Sequence, residues 1–156
     1  MALRNIVREG DPILRKECRP VGEVNDRIQV IIDDMIETMR DACGVGLAAP
    51  QVGIMRRIFV AEPEPDRVYV FINPEITLRE GEVEGEEGCL SVPGYAGMVT
   101  RPEIIEINGL DRDGNPQEFR FEGFDAVVMC HEYDHLNGIL YTDKATDVYE
   151  IGQEVE

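Results

Sequence analysis

The stretch that decides the fold is Asp125-Ala126-Val127-Val128-Met129-Cys130-His131-Glu132-Tyr133-Asp134-His135-Leu136, closed by Asn137-Gly138. Val127, Val128, His131 and His135 fall on one side at three- and four-residue steps, and Asn-Gly is a stop signal, so the segment reads as a helix. Inside it, His131-Glu132-Tyr133-Asp134-His135 is an HExxH pattern. On a helix the i, i+4 spacing stacks the two imidazoles on one face, where they can share a metal ion. The chain has 2 histidines and both lie in this motif, so two unrelated histidines are the weaker explanation.

Outward from this helix the chain turns β-rich. Strand-like runs occur at Arg57 to Ala61, Val68 to Ile72 and Ile104 to Ile107, and Asp113-Gly114 is a hairpin turn before a further run at Glu118 to Phe121. Earlier still, Ile28, Ile31, Ile32, Met35, Ile36 and Met39 recur at helical spacing between Asn25, a suitable N-cap, and Gly44, a suitable stop. The segment GVGLAAPQVG that follows predicts a close-packed loop or extended strand, not a helix. Helix, strands, helix predicts an α+β fold, with antiparallel or mixed sheets around a central HExxH helix and an N-terminal amphipathic helix. The 156 residues suit one catalytic domain spanning 1–156. Its tail, 143–156, is acidic with Lys144 as the only basic residue, and could form a short helix or fray.

Composition limits the function classes. Apolar residues at 43% and charged residues at 30% support a folded domain. A formal charge of -17 disfavours direct binding of nucleic acid or anionic membrane through bulk charge. The start, MALRNIVREG, lacks the apolar core of a signal peptide, and no apolar run is long enough to span a bilayer, so a cytoplasmic location is expected. Cys18, Cys43, Cys89 and Cys130 show no CxxC pairing and read as free thiols.

Two histidines leave a catalytic metal short of a ligand, since such sites normally use three protein groups plus water. A third histidine six residues after His135 would make a metzincin, but position 141 is tyrosine. Glu150 could serve in a small HExxH endopeptidase, or be a solvated acid of the tail. Cys130 neighbours His131 but points about 100° away around a helix and reads as core. Cys89 stands in Glu86-Glu87-Gly88-Cys89-Leu90-Ser91, after a glycine and before strand-forming residues. Its thiolate would complete a His₂Cys set; core packing is the alternative.

Three segments taken together bear on that choice: Gly44-Val45-Gly46-Leu47-Ala48-Ala49-Pro50-Gln51, then Glu87-Gly88-Cys89-Leu90-Ser91, then His131-Glu132-Tyr133-Asp134-His135. In this order and spacing the chain resembles the peptide deformylases, and the resemblance extends to Gly10-Asp11-Pro12 and Leu14 near its start. It implies hydrolysis of the formyl amide on the N-terminal methionine of nascent peptides, releasing formate. It also implies one divalent metal held by Cys89, His131 and His135, Fe²⁺ foremost, with Ni²⁺, Co²⁺ or Zn²⁺ able to substitute. Such a cation acidifies water near neutral pH. By the same resemblance Glu132 is the acid/base, and the Gln51 amide and Leu90 backbone N–H are donors to the carbonyl oxygen.

Gly46 matches a position whose backbone bonds the substrate; a glycine kept for tight packing is the competing account. Val45, Phe124 and Val128 are candidates for the methionine pocket, although core packing would also explain the last two. Asp134 and Ser91 are expected to orient the ligands. Two departures from the family pattern are visible: Cys130 where many relatives have glutamine, and Ala96 where some have arginine. Some relatives dock on the ribosome through a basic C-terminal helix, so transient ribosome proximity is implied, but this acidic tail does not predict tight docking. Besides the HExxH endopeptidase, a metal-binding protein without turnover remains an alternative, against which Glu132 and Gln51 stand, since neither is needed merely to hold metal.

Overall fold

Asn25 accepts a hydrogen bond from the Ile28 N–H at 3.1 Å and starts helix α1, Asp26–Asp41. Its buried stripe is Ile28, Ile31, Ile32, Met35 and Met39. The computed structural model describes residues 2–151. On the same buried face Asp34 accepts from the Ala2 N–H and from Arg4, which tethers the start of the chain to α1.

Among the described residues eight strands follow in chain order: β1 (Gly46–Ala48), β2 (Ile58–Glu64), β3 (Arg67–Glu80), β4 (Val83–Cys89), β5 (Val92–Arg101), β6 (Ile104–Leu110), β7 (Pro116–Glu122) and β8 (Val148–Glu150). The stripe of α1 packs on a five-stranded sheet of order β1-β2-β3-β6-β7, every neighbouring pair antiparallel. In β2, Ile58 and Val60 face the α1 cluster while Phe59 and Ala61 face the cluster of α2, Phe124–Leu136. A strand buried on both faces must be apolar at every position, which is why Ile58-Phe59-Val60-Ala61 does not alternate. The second sheet, of order β4-β5-β8, is also antiparallel. The short helix α3, Tyr141–Lys144, precedes β8.

The chain is thus an α+β protein with antiparallel sheets, and several local features depart from expectation. β3 runs past Ile72 to Glu80 because Asn73 adopts a left-handed φ of 53° in a bulge that absorbs Pro74. The Asn73 side chain then bonds both the N–H and the carbonyl of Val21. The segment GVGLAAPQVG supplies β1, but Ala49–Val52 coils into a 3-10 turn, helped by the preset φ of Pro50. Local pattern predicts no strand around Glu84-Gly85-Glu86 and Pro93-Gly94, residue types depleted from strands, yet β4 and β5 form there because cross-strand pairing overrides that preference. In the tail, Arg15 bonds Asp143 in α3, and β8 pairs Glu150 with Tyr95 of β5. Residues 152–156, the rest of the acidic tail, lie outside the described residues. No described helix is long and apolar enough to cross a membrane.

Candidate metal centre

Helix α2 presents His131 and His135 one turn apart, with ring centroids separated by 5.0 Å. Strand β4 ends at Cys89, just before the tight turn at Leu90 and Ser91 that leads into β5. One ligand atom from each of Cys89, His131 and His135 lies within 4.8 Å of the others, and Cys89 Sγ is 3.4 Å from His135 Nε2. His131 Nδ1 lies 3.0 Å from Glu87 Oε1, where Nδ1–H donates to the carboxylate and Nε2 is the ring atom that would meet a metal. One thiolate and two imidazoles suit a divalent cation of intermediate softness, so the residues fit a metal ion of that kind.

The residues that support this cluster carry no mark in the sequence. Arg101, at the end of β5 and 2% exposed, donates to Glu87 at 2.8 and 2.9 Å and to Asp134 at 2.6 Å. Lys144 of α3 reaches Asp134 at 2.9 Å. Burial pushes the Glu87 carboxyl up, but the hydrogen bonds from Arg101 and His131 outweigh it and bring its pKa down to about 2. Burial likewise pulls the His131 imidazole down, yet the Cys89 sulfur and the Glu87 carboxylate hold its pKa well above the usual value. Burial dominates at His135, whose pKa is well below the usual value. Glu87 lies two residues before Cys89 in the sequence, but no local pattern marks Arg101, whose contacts are made only on folding.

Glu132 follows His131 on α2 and is 4% exposed. Its Oε1 has no hydrogen-bond partner among the described residues. Burial, only partly offset by the charge of His131, raises its pKa to about 7. A carboxyl group poised near neutrality can both take and return a proton. The Gln51 side chain is fixed at both ends: Oε1 accepts from the Ala48 N–H at 3.0 Å, and Nε2 donates to Ser91 Oγ at 3.0 Å and lies 3.5 Å from Cys89 Sγ. Glu132, Gln51, Leu90, Cys89 and His131 all border one cavity of about 470 Å³.

Val45, Gly46, Phe124 and Val128 border the same cavity. Phe124 is 58% exposed at its mouth, so core packing does not explain it, whereas Val128 is both lining and buried core. Ser91 accepts from Gln51, and Asp134 contacts Arg101 and Lys144; neither side chain bonds Cys89, His131 or His135. Glu150 is exposed on β8, and neither it nor another acid joins the ligand cluster among the described residues, so an endopeptidase with Glu150 or another acid as third ligand finds no support. Cys18 and Cys130 are core thiols pushed up to about 11 by burial, and Cys43 is exposed at the end of α1.

An antiparallel α+β scaffold carrying an HExxH helix, a cysteine against both histidines and a buried glutamate beside them defines a metal-dependent hydrolase. The polypeptide deformylase profile matches residues 3–150, and the chain belongs to that family. It is 49% identical to a peptide deformylase of Lachnoclostridium phytofermentans over 97% of this chain and 94% of that protein. To the enzyme of Agathobacter rectalis it is 54% identical, over 92% and 90% of the two chains. Among solved structures, the peptide deformylase of Thermotoga maritima superposes with a TM-score of 0.91 at 39% identity, covering 94% of this chain and 100% of that one. That of Thermus thermophilus does so with 0.87 at 48%, over 90% and 84%. The reaction is removal of the N-formyl group from peptides that begin with formylmethionine.

Proposed function

We propose that this chain is a single catalytic domain, 1–156, in which Cys89, His131 and His135 hold one divalent metal ion and Glu132 moves the protons of formyl-amide hydrolysis. The observation that carries the reading is the meeting of a β4 thiol with two α2 imidazoles, all within 4.8 Å, directly beside a buried carboxyl group. Fe²⁺ is the proposed metal by the family resemblance, with Ni²⁺, Co²⁺ or Zn²⁺ as substitutes. When bound, the cation supplies Lewis acidity to the formyl oxygen and to water.

Glu132 takes the proton of the attacking water and then delivers it to the methionine nitrogen, so that the amine leaves neutral when the C–N bond breaks. As negative charge builds on the formyl oxygen, two donors face it: the Leu90 backbone N–H and the Gln51 amide. Ser91 holds one Gln51 N–H at 3.0 Å, and the loosely engaged N–H, 3.5 Å from sulfur, is the one available to substrate. Val45, Phe124 and Val128 form the apolar wall for the methionine side chain, and the Gly46 backbone lines the path of the peptide. Substrates are nascent formylmethionyl peptides in the cytoplasm, met in passing near the ribosome, with no direct nucleic-acid or membrane contact.

Metal-loaded wild type is expected to release formate from a formyl-Met peptide, and Cys89→Ser to lose metal and activity together, whereas Glu150→Ala keeps both. Formate release by a Cys89→Ser variant with full metal content would overturn the ligand assignment. No formate from folded, metal-loaded wild type would overturn the mechanism.

A further inference from the structure

Gly46 is buried in β1, paired with Ala61, and its φ lies outside the left-handed region, so the backbone there does not call for glycine. A neighbouring side chain does. A Cβ built at Gly46 would stand 2.5 Å from Glu132 Oε2, 2.8 Å from Cδ and 2.8 Å from Cγ. Three successive atoms are involved, so bending the tip of Glu132 aside would not relieve the overlap; the side chain would have to leave its rotamer. No side chain or backbone group among the described residues hydrogen-bonds Glu132 Oε1.

We infer that Gly46 is a positioning residue for Glu132: its bare Cα is the wall against which the carboxyl group is held, and contact with that wall sets the carboxyl orientation. The inference rests on Glu132 acting as the acid/base and deepens that reading, since it gives Gly46 a task separate from bonding the substrate backbone. A displacement of about 1 Å at a reacting group can cost on the order of 100-fold in rate. The two tasks make opposite demands on kinetics. Loss of substrate bonding raises KM, while displacement of Glu132 lowers kcat with KM little changed.

The test is a double-mutant cycle of Gly46→Ala with Glu132→Ala, read by thermal unfolding of the metal-loaded proteins, together with kcat and KM for a formyl-Met peptide in Gly46→Ala alone. The expected result is a drop of several degrees in Tm for Gly46→Ala in the wild-type background and almost none in the Glu132→Ala background. In the single variant, kcat falls about 100-fold or more, with KM changed less than threefold and metal content unchanged. If Gly46→Ala does not fold while the double variant does, the contact is supported by that difference. Equal destabilisation in both backgrounds, failure of both to fold, or a KM effect at normal kcat overturns the inference. The Tm comparison stands whether or not Glu132 is catalytic. Activity persisting in Glu132→Gln would sink the acid/base assignment while leaving the packing result legible.

Discussion

At the scale of single residues the site trades stability for reactivity, and Glu132 shows the trade in its sign. Burial raises its pKa from 4.5 to about 7. The folded chain therefore binds this proton more tightly than the unfolded chain, and the contribution to stability is present below about pH 4.5 and lost as pH rises through 7. Replacing the group with an uncharged isostere removes that loss. For the metal-free protein, Glu132→Gln is expected to be more stable than wild type by up to about 3 kcal/mol at pH 8 and by little at pH 4, measured by denaturant unfolding. In the metal-loaded protein the same change should leave metal content intact and lower kcat by about 100- to 10,000-fold. A variant that turned over normally would remove Glu132 from the mechanism.

At the scale of elements, the site depends on β4, β5 and α2 keeping one spacing, and a single buried guanidinium spans all three. Arg101 of β5 grips Glu87 of β4 and Asp134 of α2, while Glu87 fixes the ring of His131. Arg101→Met leaves the buried Glu87 carboxylate without its guanidinium and Asp134 with Lys144 alone, a change expected to cost about 3–5 kcal/mol. Loss of the ligand support should lower metal affinity by about 10- to 100-fold in a chelator competition. Glu87 carries the opposite pH sign to Glu132. Its pKa is lowered to about 2 from 4.5, so its contribution is present above pH 4.5 and lost as pH falls toward 2. Acid unfolding of Glu87→Gln should accordingly show a shallower loss of stability over that window than wild type. An unchanged acid limb, or wild-type metal affinity in Arg101→Met, would show that this ion network is decoration.

At the scale of the whole molecule, 32 acidic side chains against 15 basic ones repel one another on a small surface, and added salt screens that repulsion. Tm is expected to rise by several degrees between low salt and about 0.5 M NaCl, and a flat or falling curve would mean that the exposed ion pairs outweigh the net charge. Much of the plan was legible from residue order, because helix period and strand runs are local: the α1 stripe, the apolar run Ile58 to Ala61 and the Asp113-Gly114 turn all occur where their patterns point. The acidic β4 and the proline- and glycine-containing β5 were not legible, since their pairing depends on partners and not on propensity. The His131–His135 pair follows from residue order alone, for about 3.6 residues per turn put the two rings on one side of any helix. Tertiary structure alone decided that a sulfur 46 residues before His135 stands 3.4 Å from it, that Arg101 ties strand to helix, and that Gly46 lies against Glu132. Such meetings are set by the packing of distant elements, and no local repeat in the chain encodes a distance across a cavity.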